Sequence, residues 1–155
     1  MGSKTKLDSF DTRILQILTA EGRKTWRDLA EDIGLSLTPT LRRVRRLEND
    51  GYILGYTARL DERRLIGGIE ALISVTLERQ AEEALTTFER SIQDVPEVTD
   101  CFQMTGDYDY LLRVVVTDLD HYQSMLMALA RIPRVSRINS SFMLKTVLRR
   151  PTQVV

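Results

Sequence analysis

Apolar residues in the first third of the chain recur at spacings of three and four, the signature of helices with one buried face. Phe10, Ile14, Ile17 and Leu18, widened by Leu7 and Leu15, predict a helix that Asp8 or Ser9 caps and that ends at Glu21-Gly22-Arg23. Trp26, Leu29, Ala30 and Ile33 predict a second, opening at Thr25 with Asp28 three residues on, in the manner of a capping box, and broken by Gly34. Leu41, Val44 and Leu47 predict a third, with Ser36 as its cap, Pro39 in its first turn and Gly51 as its stop. Helix, tight glycine turn and helix in succession form a helix-turn-helix, whose second member is the reading helix. Tyr52 to Leu60 is rich in strand formers and predicts a small wing and an exit strand.

The period then changes. Beyond a charged turn at Asp61-Glu62-Arg63-Arg64, the residues Ile69, Ala71, Ile73, Val75 and Leu77 alternate with Glu70, Leu72, Ser74 and Thr76. That is a strand with one face against helices. A helix over 82–92, strands over 98–105 and 110–117, a helix over 119–131 and a strand over 135–147 follow. The order strand–helix–strand–strand–helix–strand predicts a ferredoxin-like split βαβ domain. The fold class is thus α+β. Residues 1–60 are expected to form a winged helix-turn-helix, and residues 61–155 a ferredoxin-like βαββαβ domain. Helices cover one face of such a sheet. The other face, expected to carry Leu72, Cys101, Gln103 and Ser141 or their neighbours, needs a ligand, solvent or a second subunit, and a two-fold homodimer is the simplest solution.

Two stretches carry chemistry. The third helix reads LTPTLRRVRRLEN, with Thr38, Pro39, Arg42 and Arg46 opposite its apolar stripe and Arg43 and Arg45 at the edges. Arginine forks pair with guanine edges or phosphates. The second stretch is the turn Gly106-Asp107-Tyr108-Asp109. Backbone N–H groups at a glycine turn receive a carboxylate, Asp107 and Asp109 receive an ammonium, and Ser140 and Ser141 on the last strand add hydroxyls. One short segment therefore offers both halves of an α-amino acid site. It is equally the composition of an ordinary hairpin turn.

Composition narrows the rest. The chain of 155 residues balances 22 basic against 22 acidic side chains, but unevenly. Residues 1–60 hold 11 Lys/Arg and 8 Asp/Glu; the remainder holds 11 and 14. A basic first module and an acidic second one point to different partners. One cysteine and one histidine argue against a disulfide, a metal cluster or a catalytic triad. The expectation is therefore a non-enzyme without cofactor or metal. No apolar run reaches the roughly 20 residues of a membrane span, and the first ten residues lack a signal-peptide core, so a cytoplasmic protein is expected.

Three segments together resemble the Lrp/AsnC family of transcriptional regulators: LDSFDTRIL at 7–15, LAEDIGLSLTPTLRRVRRLENDGYILGY at 29–56 and TGDYDYLLRVVV at 105–116. The resemblance implies dimers that assemble into tetramers or octamers and bind double-stranded promoter DNA. It implies effectors, usually amino acids, held between sensor domains near the Gly106–Asp109 turn. By the same resemblance, Ser36, Thr38, Pro39 and Thr40 belong to the DNA-binding segment. Thr38, Thr40, Arg42 and Arg43 enter the groove, while Arg45 and Arg46 lean toward phosphates. Met104, just before the turn, suits an apolar effector side chain, and Tyr108 completes the effector set. The chain departs from the family in carrying Leu37 after the capping serine, where members commonly have small or polar residues. The expected function is a sequence-specific regulator modulated by an amino acid; the alternative is an architectural promoter-binding regulator with no small effector.

Overall fold

The computed structural model describes residues 6–66, 68–148 and 150. They fall into two compact units, one running to Arg59 and the other spanning Leu60–Val147.

The first unit is built on three helices, α1 (Ser9–Ala20), α2 (Trp26–Ile33) and α3 (Leu37–Asn49). Asp8 caps α1 in a complete capping box: its carboxylate accepts the Asp11 N–H at 2.9 Å, and that of Asp11 accepts the Asp8 N–H at 3.1 Å. Thr25 caps α2 through the Asp28 N–H, and Gly34 ends it at φ 70°, where a side chain would be strained. Ile14, Leu15, Leu29, Ile33, Val44 and Leu47 form the core, with Tyr52 and Ile53 packed against it. Full burial of such side chains contributes roughly 1.5–3 kcal/mol each.

The predicted wing and exit strand do not form. Residues 52–60 contain no strand, because nothing among the described residues of this unit offers them a sheet edge. Side chains hold part of the segment instead. The Tyr56 ring meets Trp26 edge-on at 6.3 Å, and its hydroxyl donates to Glu48 at 3.0 Å. Desolvation and that carboxylate push the Tyr56 hydroxyl up to about 12.

The second unit opens with a short helix, α4 (Glu62–Ile66), where sequence predicts a charged turn. The order is then β1 (Ile69–Leu77), α5 (Glu82–Ile92), β2 (Val98–Gln103), β3 (Tyr110–Val116), α6 (Leu119–Ala130) and β4 (Val135–Phe142). The strands form one antiparallel sheet in the order β2-β3-β1-β4, as a split βαβ arrangement requires. β2 and β4 are shorter than their apolar patterns suggest. The alternation in β1 holds: Ala71, Ile73, Val75 and Leu77 are buried. They meet Phe88 and Ile92 of α5 and Met125 and Leu129 of α6 in one core. Phe88 and Tyr110 pack with ring centroids 4.5 Å apart, a contact that adds about 0.5–1.5 kcal/mol to area burial.

The open face differs from expectation at β2. Register shifts between Val98 and Asp100, so Cys101 stands opposite Leu112 and Gln103 opposite Tyr110, on the helix side of the edge. Asp100 and Phe102 take the open face instead. Leu72 and Ser141 are opposite one another on that face, as predicted. Arg113, at its centre, is already paired: Nε lies 2.5 Å from Glu70 Oε1, and Nη1 lies 3.2 Å from Thr99 Oγ1.

Gly68 is fixed by space. A Cβ there would lie 2.0 Å from the Val116 carbonyl oxygen, a backbone atom that cannot swing aside. Gly68→Ala is expected to force β1 and β3 apart where they pair at Ile69 and Val116. The expected loss is about 1–3 kcal/mol, read as a lower urea midpoint for the protein at unchanged slope.

Candidate functional site

Helix α3 places its residues by one rotation that sequence misjudges. Thr40, Val44 and Leu47 are its buried residues, and Leu41 is only half-buried. Thr40 is fully enclosed, its hydroxyl donating to the Ser36 carbonyl at 3.0 Å. It therefore cannot enter a DNA groove, which corrects the reading above. Pro39 is half-buried in the first turn, and Leu37 is exposed. Ser36 occupies the cap position, but its side chain makes no capping hydrogen bond. The first-turn N–H groups of α3 thus lack the side-chain acceptor that Asp8 and Thr25 supply to α1 and α2.

The four arginines divide into two pairs. Arg42 and Arg45 are exposed, with no ion-pair partner among the described residues. With Thr38, Leu41, Arg46, Asn49 and Asp50 they line a shallow groove of about 490 Å³. Arg43 and Arg46 turn toward α1. Arg43 Nη1 lies 2.7 Å from Asp8 Oδ2 and 2.8 Å from Asp11 Oδ1, and Arg46 Nη2 bonds Asp11 Oδ2. Against the expectation that Arg43 reads bases and Arg46 meets phosphate, both guanidiniums are engaged with carboxylates of the unit, although the Arg46 side chain is 36% exposed and lines the groove. The Asp8 carboxyl is held below its ordinary value, first by the Asp11 N–H and then by Arg43. Those carboxylates, Asp8 above all, also hold the Arg43 guanidinium more firmly protonated.

The turn after β2 also divides its residues. Gly106 has φ 118°, open to glycine, and Asp107 is exposed beside it. Met104 and Tyr108 are half-buried. Asp109 is buried: its carboxylate accepts the Leu77 N–H at 2.7 Å and the Gln80 side-chain N–H at 2.6 Å. Its backbone closes the hairpin, with Met104 N–H donating to the Asp109 carbonyl and Asp109 N–H to that of Val75. Asp109 is therefore committed to the fold and cannot receive an ammonium. Ser140 stands opposite Ile73 on the helix side, and Ser141 opposite Leu72 on the open side. The two serines face opposite sides of the sheet, so they cannot both serve one site within a chain.

Sequence reasoning missed Asp11, although its place in the stripe Leu7, Asp11, Ile14, Leu18 signals a carboxylate turned inward. It also missed the partner of His121, whose Nε2 lies 2.8 Å from Glu97 Oε1. Cys101 lacks the environment of a reactive thiol: desolvation, and then Glu89, push its pKa up. Among the described residues, no cluster of His, Cys, Asp and Glu could hold a metal ion, and no helix is long and apolar enough to cross a membrane.

Comparison with known proteins agrees with this geometry. Residues 7–53 match the winged helix-turn-helix DNA-binding family, and residues 70–153 match the Lrp/AsnC ligand binding domain. The Bkd operon transcriptional regulator of Pseudomonas aeruginosa is 56% identical over 146 residues, covering 94% of this chain and 95% of its own. A transcriptional regulator of Neisseria meningitidis, solved in complex with L-methionine, superposes with a TM-score of 0.89 at 36% identity, covering 97% of each chain. The feast or famine regulatory protein of M. tuberculosis, also complexed with L-methionine, gives 0.86 at 28% identity, covering 97% of this chain and all of its own. With a basic third helix on a helix-turn-helix, a one-sided βαββαβ sheet and relatives matched over nearly the whole length, this chain belongs to the Lrp/AsnC family of feast/famine transcriptional regulators.

Proposed function

We propose that this protein binds specific promoter sequences through α3 and that an α-amino acid at the Gly106 turn modulates that binding. The observation that carries the DNA half is the exposed pair Arg42 and Arg45, three residues apart on one side of α3 and without partners inside the unit. Thr38 extends the same surface toward the helix start. The uncapped first turn at Ser36 adds N–H groups suited to a phosphate. Thr40 and Arg43 support this surface from behind, while Arg46 lines its edge with its guanidinium held by Asp11.

The effector half is supported by the L-methionine complexes of two relatives and by Met104, Gly106, Asp107 and Tyr108 around one turn. Gly106 and the free Asp107 carboxylate supply the polar ends; Met104 and Tyr108 supply apolar contact. Ser141 lies on the open face and belongs with a subunit interface rather than with this turn. That face, with Leu72, Phe102 and Leu111 around the paired Arg113, suits a homodimer, which would present two reading helices to a two-fold operator. Tetramers or octamers follow if such dimers associate further.

The test is fluorescence anisotropy on promoter duplexes from the organism's own genome. Arg42→Ala and Arg45→Ala are each expected to weaken specific binding about 10-fold or more, in line with roughly 1–3 kcal/mol per good bidentate pair. Native-like circular dichroism in both variants would exclude misfolding as the cause. Wild-type affinity in both variants would remove α3 as the reading element. Titration with L-methionine and the other amino acids tests the effector half. DNA binding indifferent to all of them would favour an architectural regulator.

A further inference from the structure

The division of the α3 arginines calls for a reason, because only two of the four guanidiniums lack a carboxylate partner among the described residues. The other two meet a built acceptor. The Asp11 side chain is 1% exposed, and its two oxygens are shared among Arg43, Arg46 and the Asp8 N–H. Asp8 adds a second carboxylate to Arg43 at 2.7 Å. The Phe10 ring lies against the same guanidinium, 5.2 Å from its centre, which restrains it in a further direction. The capping box of α1 fixes both carboxylates, so the acceptor does not drift. Two negative and two positive charges cancel at this spot.

We infer that Asp8 and Asp11 form an acidic clamp that keeps Arg43 and Arg46 off DNA phosphates and so holds down sequence-independent binding. This rests on α3 being the reading helix, as proposed above. Arginine–phosphate contacts strengthen binding to every sequence alike and carry no sequence information. With the clamp closed, Arg42 and Arg45 are the α3 arginines that no carboxylate holds, and the charge of Arg43 and Arg46 is neutralised. With it open, two further cations lie within reach of the backbone, and the gap between operator and random DNA narrows. Asp11 acts here as a positioning residue, through the arginines it holds.

The experiment is a salt titration of the full-length protein on a random-sequence duplex and on its operator. Asp11→Asn removes the charge but keeps an acceptor for the Asp8 N–H. The expected result is a dependence of log K on log salt steeper by about one to two, since each phosphate contact contributes about 0.9. Random DNA should bind more tightly and operator preference should fall. A folded Asp11→Asn protein with an unchanged or shallower slope would overturn the clamp. Reduced stability alone would lower affinity without steepening the slope. Should that variant fail to fold, single arginine substitutions decide. On the random duplex, where exposed arginines meet phosphates rather than base edges, Arg42→Gln and Arg45→Gln should each flatten the slope by about 0.9, and Arg43→Gln and Arg46→Gln should leave it at the wild-type value. If Arg43→Gln flattens it as Arg42→Gln does, Arg43 already contacts phosphate and the inference is wrong. If none of the four changes it, the reading of α3 fails, and the clamp with it.

Discussion

Asp109→Ala is expected to lower the stability of the second unit by about 2–4 kcal/mol, whereas Asp107→Ala, two residues away, should leave it within about 0.5 kcal/mol. The contrast follows from where the two carboxylates point. Asp109 is 5% exposed and accepts from the Leu77 N–H at 2.7 Å and from Gln80 at 2.6 Å. Both bonds go to a carboxylate; one such bond contributes about 1.5–3 kcal/mol, and two that share a carboxylate add less than their sum. Leu77 also sits where the β1–β4 register shifts, so its N–H has reason to look to Asp109. Without the carboxylate that N–H is left unsatisfied, and the turn loses its tie to the end of β1. Asp109→Asn keeps one acceptor oxygen and should lose about half as much. Asp107 is exposed and makes no such tie. If an amino acid binds at this turn as proposed, removing this carboxylate should abolish the calorimetric heat of L-methionine binding while the urea midpoint stays put. Two equal losses of stability would mean that the turn is one structural unit. Equal retention of stability would mean that the Asp109 contacts are incidental.

These two aspartates show where sequence stops being informative. Asp107 and Asp109 look alike in GDYD, and both suit an ammonium; only the pairing of Tyr110 with Val75 brings Asp109 over the end of β1. The periodic features were legible because burial imposes them. Spacings of three and four gave α1 to α3, and strict alternation gave β1, from which the order of strands and helices followed. A bulge leaves no mark on alternation, so Cys101 and Gln103 were put on the wrong side of β2. The wing was read from strand-forming residues, but a strand also needs an edge to pair with. In α3 the apolar set Leu41, Val44 and Leu47 suggested one rotation, and the buried set Thr40, Val44 and Leu47 shows another. Thr40 tolerates burial because its hydroxyl finds the Ser36 carbonyl, a local bond that a hydrophobicity pattern does not register. That small rotation decides which arginines face outward.

Asp11→Ala should therefore disturb the first unit most among changes to polar residues there, at about 2–4 kcal/mol. Breaking a buried ion pair by removing one partner commonly costs about 3–5 kcal/mol, because the remaining charge is stranded. The cost here is lower, since the side chains of Arg43 and Arg46 are 21% and 36% exposed and can turn partly to water. Two further losses bring it back toward that range: the Asp8 N–H loses its acceptor, which is half of the capping box of α1, and a small cavity opens beside Ile14 and Leu15. Acid should weaken the wild-type network as well. Asp8 titrates below its ordinary value in the folded state, so its contribution is present above the unfolded value of about 4 and disappears as pH falls through the lower folded one. Urea unfolding of Asp11→Ala at neutral pH, followed by circular dichroism of the helical signal, is the direct measurement. A midpoint equal to wild type would show that the arginines, not the carboxylate, hold α1 to α3. In that case Arg43→Ala and Arg46→Ala should each destabilise the unit more than Asp11→Ala does.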